Sequence, residues 1–209
     1  LQTQYRIDIS QRLADEYRED TKTPLNPEGI QLGPDDYDSR YFKGYGPTSQ
    51  EVMIPAFLAA YGYKDVSMVR LEAIQEIINV MPNWTITYDG IGKIEALKEF
   101  VNSISLNHKY RSTYSIGSFI SNPFYRDTLQ GVPVEYDLQG NFMVGNNINT
   151  ITISEQFSPL ININMDWKNS LTTKFEFKKS RTVGLNMANS QVNEVRSNEI
   201  IFGAGYRFN

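Results

Sequence analysis

The sequence predicts a mainly β fold: a segment of an antiparallel transmembrane β-barrel with long amphipathic strands, long loops and two short helices. The first observation is that residues 100–120 alternate in side-chain character almost without a break. Since successive side chains of a strand point to opposite faces, this pattern indicates one strand with an apolar, aromatic face and a hydrophilic face. The second is its length, because at about 3.3 Å per residue it reaches roughly 65–70 Å. Strands of soluble proteins mostly have about 3–10 residues.

The alternation assigns side chains to the two faces that a barrel wall needs, one towards lipid and one towards the lumen. The positions expected to face lipid, on this strand and on the final one, are Ile104, Leu106, Tyr110, Tyr114, Ile116, Phe202, Tyr206 and Phe208. The positions expected to face the lumen are Ser105, Asn107, Lys109, Arg111 and Thr113.

Composition limits the classes of function. Of the 209 residues, 40% are hydrophobic. Because half of every barrel strand faces a polar interior, a hydrophobic share of this size is compatible with a barrel wall. No run approaches the roughly 20 apolar residues of a membrane helix. The net charge is −4 without a basic stripe, so we expect no nucleic-acid partner. With no cysteine and His108 as the only histidine, we expect no catalytic, metal or cofactor site.

The chain divides into three regions. Residues 1–20 are predicted as a strand region, because Tyr5, Ile7 and Ile9 alternate with polar residues. Residues 21–82 are predicted as a loop followed by a helical insertion that acts as a plug or cap. Residues 83–209 are predicted as barrel strands with a long loop at 121–149. Because the chain starts with Leu1 and carries no leader, we expect it to be a segment of a longer polypeptide.

The region 21–82 begins with a long loop at 21–50, rich in proline and glycine, whose tyrosines predict that it packs on something. A helix is predicted from about Ile54, because Pro55 is tolerated only in a first turn, to Tyr61, with Gly62 ending it. A second helix is predicted over about 68–80. The candidate gating or packing residues of this loop and helix are Tyr41, Phe42, Tyr45, Phe57 and Leu58.

In the last region, short-period alternation predicts strands at 83–88, 161–167, 171–188 and 200–208. A small hairpin is predicted around 138–140, a tight turn at 168–170 and a polar turn region at 189–198. Lys179 and Arg181 share the phase of Phe175, and a cation facing lipid at the midplane costs about 2–4 kcal/mol. Either a bulge switches the phase there, or that part of the strand projects beyond the bilayer.

Several stretches resemble the SprA/Sov family, the outer-membrane translocon of the type 9 secretion system of Bacteroidota, which is also linked to gliding motility. The similarity extends over most of the chain from Gly44 onward. The motifs that carry it are residues 44–61, 82–90, 110–114, 153–160 and 167–181.

The resemblance implies that this chain is part of the C-terminal portion of a much larger single-chain barrel. It implies a multi-pass protein of the cell outer membrane that passes secreted cargo proteins and performs no catalysis. As partners it implies outer-membrane lipid, a PorV-like outer-membrane barrel protein and a periplasmic plug protein.

Two alternatives stay open. One is a surface-exposed all-β binding module, which should have short strands with turns every 8–12 residues or so. The other is a small solute-conducting outer-membrane barrel, which needs an even set of regular hairpins. The long strands argue against the first alternative, and the insertion at 21–82 argues against the second.

Overall fold

The computed structural model describes residues 3–21, 30–33, 36–38, 40–62, 64–71, 83–129 and 132–208. Its main feature is a five-stranded antiparallel sheet with the order β3-β4-β7-β8-β9. The strands of this sheet are β3 (Trp84–Tyr88), β4 (Val101–Ser121), β7 (Asn146–Trp167), β8 (Leu171–Asn186) and β9 (Gln191–Tyr206). The prediction of a mainly β chain with long strands is therefore confirmed.

Two short hairpins lie outside this sheet. In the first, β1 (Ile30–Gly33) pairs with β2 (Asp36–Asp38), within the stretch that was predicted to be loop. In the second, β5 (Asp127–Leu129) pairs with β6 (Val132–Pro133). The predicted hairpin around 138–140 is present as an antiparallel bridge between Tyr136 and Phe142.

The four longest strands contain 21, 22, 16 and 16 residues, in chain order. The predicted tight turn at 168–170 joins β7 to β8, and Ser170 adopts a left-handed conformation there with φ of 64°. The prediction of a polar turn over 189–198 is wrong, because β9 already begins at Gln191. Pairing with β8 supplies its backbone hydrogen bonds, so this part of β9 is a strand without an apolar face.

The predicted strand at the N-terminus is also wrong, because α1 (Thr3–Thr21) is a helix there. Tyr5, Ile9, Leu13 and Tyr17 recur every four residues and form the helix face that packs on the rest of its unit. Tyr5 and Ile9 fit both this helical period and the alternation of a strand, whereas Ile7 fits the alternation alone.

The helix α2 (Gln50–Tyr61) ends before Gly62 as predicted, but it begins four residues earlier than expected. Pro55 lies inside it and removes one backbone donor, a loss that the burial of the residues from Val52 to Ala59 offsets. Of the second predicted helix, Met68 ends a 3-10 turn (Val66–Met68), and residues 72–80 lie outside the described residues. A one-turn helix, α3 (Glu95–Lys98), precedes β4.

The chain forms two compact units. The helical unit comprises the described residues of 1–79, 115–151 and 184–193, and the sheet unit those of 80–114, 152–183 and 194–209. The core of the helical unit joins α1 and α2 to two aromatic residues of the loops, Tyr45 and Phe142. Among the described residues, every helix is too short or too polar to cross a membrane.

Candidate functional site

The two faces of the sheet unit differ in character, and the register defines them. Trp84 lies directly opposite Tyr110, and the Tyr110 ring contacts that of Phe157 at 4.8 Å, so these three residues share one face. On the next strands, Arg181 contacts both Glu155 and Glu194 and extends this face to β8 and β9. We call it the apolar face and the opposite one the polar face.

The apolar face exposes large hydrophobic side chains on β3, β7, β8 and β9. The exposed ones are Trp84, Ile86, Tyr88, Ile161, Phe175, Ile200, Phe202 and Tyr206. On the polar face of the described sheet unit, Val195 is the exposed large hydrophobic residue. Exposed apolar patches of this extent mark a surface that is covered by a partner or a membrane.

The polar face consists of hydroxyl, amide and charged side chains that bond to one another across strands. Asp166 accepts hydrogen bonds from Ser103 at 2.7 Å and from Thr172 at 3.2 Å, which links three strands. Asn164 donates to Ser105 at 3.4 Å. The surface is therefore hydrated and carries few free apolar groups.

The residues predicted to face the lumen lie together on the polar face. Lys109 and Arg111 are exposed, and Ser105, Asn107 and Thr113 are partly buried. Thr87 of β3 donates to Asn107 at 3.0 Å. Their common face follows from the alternation of β4, and their orientation towards a lumen stays a prediction.

The residues predicted to face lipid divide by burial. Ile104 and Tyr110 are buried, and Leu106, Tyr114 and Ile116 are partly buried. Phe202, Tyr206 and Phe208 are exposed, and the Tyr206 and Phe208 rings contact each other at 5.0 Å. Their contact with lipid stays a prediction.

A row of polar and charged residues crosses the apolar face from β4 to β9. The Tyr110 hydroxyl donates to Glu155 Oε1 at 3.0 Å, and Arg181 Nη1 contacts Glu155 Oε2 at 3.0 Å. Arg181 Nε contacts Glu194 Oε1 at 2.6 Å, and Arg196 Nε contacts the same oxygen at 2.7 Å. We call these five residues the charged row.

The charged row answers the question that Arg181 raised in the sequence. Trp167 donates to Thr173 on the same face as the Glu155–Arg181 pair, so β7 and β8 keep one phase between these contacts. The Arg181 and Glu155 side chains are only 13% and 14% exposed, and they neutralise each other. No switch of phase is needed to place this cation.

Sequence reasoning missed the charged row, although a signal was available. A tight turn centred on Asn169 predicts Glu155 opposite Val183 on β8. Arg181 is then the diagonal neighbour of Glu155, within reach of a long side chain. Their opposite charges on an apolar phase then predict a cross-strand ion pair.

The lone histidine has a structural partner. His108 Nδ1 lies 2.6 Å from the Leu160 carbonyl oxygen, and Nδ1–H donates to it in the tautomer that carries the proton there. Its ring also contacts Trp84 and Phe157 on the apolar face. In the described part of the chain, no three His, Cys, Asp or Glu side chains group to hold a metal ion.

The candidate gating or packing residues lie in the helical unit. Tyr41, Tyr45, Phe57 and Leu58 are buried, and Phe42 is partly buried. Ser10 of α1 accepts from the Phe42 amide at 3.1 Å and donates to the Tyr45 carbonyl at 2.7 Å. These contacts give the residues a packing role, and a gating role stays a prediction.

Further hydrogen bonds fix the loop before α2. Asn141 accepts from the Gly46 amide at 3.1 Å and donates to Thr48 at 3.2 Å. Gln50 donates to the Asn146 carbonyl at 3.0 Å and accepts from the Ile148 amide at 2.6 Å. The prediction that this loop is ordered and packs on other elements is confirmed for its described part.

One ionisable group of α2 is buried without a full set of partners. Glu51 Oε2 is buried and has no hydrogen-bond partner among the described residues. Burial and, to a smaller extent, the negative charge of Glu16 raise the pKa of Glu51 to about 7.

No protein-family model and no curated protein matches this chain.

Proposed function

We propose that this chain is part of the wall of an outer-membrane channel that exports proteins, as the type 9 secretion translocon does. The apolar face contacts lipid, and the polar face lines the path of the cargo. No catalytic step is part of this function, because passage through a channel needs a lining and a gate.

The observation that supports the proposal most is the contrast between the two faces over strands of great length. A membrane-spanning strand needs about 9–11 residues, and each of the four long strands exceeds this. In lipid, strands satisfy their backbone groups only in a closed barrel. We therefore infer that this sheet closes with further strands, and its resemblance to the SprA/Sov family supports that inference.

The open edge of β9 supports the same conclusion. Among the described residues, β8 is the strand that pairs with β9, and the other edge of this 16-residue strand has no partner strand. Long unpaired edges with apolar side chains aggregate unless another strand covers them. The next strand of a barrel wall would cover this edge.

The second candidate function is a surface-exposed binding module, which the exposed apolar face also fits if a second protein layer covers it. It predicts a parent protein that alkali or salt removes from the membrane. A small solute-conducting barrel predicts uptake of small solutes with normal export of proteins.

The test compares wild-type cells with cells that carry a deletion of the parent gene. In the wild type we expect the full polypeptide in the outer-membrane fraction, resistant to alkaline extraction, and in the deletion strain we expect loss of secreted proteins from the medium. Normal secretion with an extractable parent would contradict the proposal and favour the binding module. Complementation with the intact gene is the control.

A further inference from the structure

We propose that the charged row marks one boundary of the hydrocarbon layer, so that its charges lie at the level of the lipid headgroups. The apolar face between the row and the turn at 168–170 is then the part that contacts acyl chains. This inference rests on the proposed function and adds the depth at which the sheet lies in the bilayer.

The length of the apolar band agrees with a bilayer. On β7 it extends from Phe157, next to the row, to Trp167 at the end of the strand. At about 3.3 Å per residue this is roughly 33 Å along the strand. With the tilt of about 35–45° that is usual in barrels, its height is roughly 25 Å, which is the height of the apolar band of outer-membrane proteins.

Aromatic residues lie at both ends of the band. Next to the row, the Trp84 ring stacks on that of Tyr110 at 4.3 Å, and Tyr110 contacts Phe157. At the other end, the Trp167 indole donates to Thr173 at 2.9 Å, and Tyr206 ends β9. Such pairs of aromatic girdles mark the two interfaces of barrel proteins.

The electrostatics of the row fit the headgroup level better than the hydrocarbon. Each charged member has an oppositely charged partner, and the row as a whole is neutral. The Arg196 side chain is nevertheless 67% exposed. An exposed guanidinium is costly in hydrocarbon, whereas at the headgroups it meets water and phosphate.

The proposal also places Lys179 and Tyr114. Lys179 is exposed and adjoins the row on β8, so its long side chain reaches the headgroups. Tyr114 lies four residues beyond Tyr110 on β4, outside the band. Of the positions expected to face lipid, Tyr114 therefore lies beyond the acyl chains.

The test measures depth at three positions of β9 in the full polypeptide, reconstituted in lipid bilayers. This chain contains no cysteine, so each of the variants Arg196→Cys, Phe202→Cys and Glu199→Cys adds a single labelling site to it. Any cysteines in the rest of the full polypeptide are first replaced. A fluorophore on each cysteine is quenched by lipids with a nitroxide near the headgroup or deep in the acyl chain. Retention of heat-dependent mobility on gels shows that each variant folds.

We expect the ratio of deep to shallow quenching to exceed one at Phe202 and to fall below one at Arg196. Glu199, on the polar face, is the control and should be quenched weakly by both lipids. A ratio above one at Arg196 would overturn the inference and leave the proposed function standing. Absence of lipid quenching at all three positions would overturn the proposed function as well.

Discussion

Neighbouring residues of one strand have opposite surroundings in this sheet. Ile163 lies on the apolar face, and Asn164 lies on the polar face, where it bonds to Ser105. The proposed function depends on this separation of the two faces, so single-residue substitutions test it.

The first prediction replaces each of these two neighbours by aspartate. Ile163→Asp should lower the stability in the membrane by roughly 1–3 kcal/mol, because a carboxylate faces acyl chains. Asn164→Asp should change it little, because water covers that face. Urea unfolding in bilayers, with assembly yields in cells, checks this. Equal losses for both variants would mean that the faces are assigned wrongly.

The second prediction concerns the charged row. Arg181→Ala should cost roughly 2–3 kcal/mol, because it leaves the largely covered Glu155 carboxylate without its cation. Arg196→Ala, at an exposed site, should cost less than about 1 kcal/mol. Adding Glu155→Gln to Arg181→Ala should restore part of the loss in the same urea titration. A larger cost for Arg196→Ala would contradict the row as described.

The third prediction concerns the pH dependence of the helical unit. Because the pKa of Glu51 is raised to about 7, its protonated form is favoured in the folded state, and stability is highest below the ordinary value of 4.5. Stability falls as the pH rises from there through about 7. Glu51→Gln should remove this decline and stabilise the unit by about 1–3 kcal/mol at alkaline pH.

Protease resistance of the helical unit in urea, measured across pH, checks this third prediction. Glu95→Gln is the control, because the Glu95 side chain is 96% exposed. A decline that persists unchanged in the Glu51→Gln variant would show that other groups cause it.

At the scale of elements, β4 could be predicted from the sequence, whereas the first part of β7, outside the predicted strand at 161–167, was missed. The β4 alternation keeps one phase over its whole length, and no helical period fits it. In α1 the alternation of Tyr5, Ile7 and Ile9 misleads, because the four-residue spacing that continues to Leu13 and Tyr17 decides the structure. Tertiary packing against α2 selects the helix.

The first half of β9 was missed for another reason. Residues 189–198 are polar apart from Val192 and Val195, which fall on opposite faces, so their sequence has no periodicity that predicts a strand. Their strand structure depends on the partner strand β8 and on side chains such as Glu194, which contacts Arg181. Cross-strand pairing of this kind is visible only when both strands are aligned.

The fourth prediction concerns the turn between β7 and β8. Ser170 has a φ of 64°, which glycine adopts at no cost and a β-branched residue adopts poorly. Ser170→Gly should stabilise the hairpin by up to about 1 kcal/mol, and Ser170→Val should destabilise it by roughly 1–2 kcal/mol. Ser180→Val, within β8, is the control and should be tolerated. Urea midpoints that rank valine above glycine at 170 would contradict this.

At the scale of the whole molecule, the described sheet has a free outer edge on β9 and an apolar face without a protein layer on its exposed part. Closure with further strands inside a membrane, as proposed above, would satisfy both. The faces of this sheet could be predicted from the sequence, because alternation is local. Of the charged row, the Glu155–Arg181 pair left a signal in the sequence, whereas the row as a whole depends on the register of four strands.

The measurement that tests the central claim most directly is cross-linking of cargo during export. A photoreactive residue replaces either Lys109, exposed on the polar face, or Ile86, exposed on the apolar face, in the full polypeptide. We predict cross-links from position 109 to exported proteins and none from position 86. Cargo captured from position 86, or from neither position while export proceeds, would contradict a protein-conducting wall with these faces.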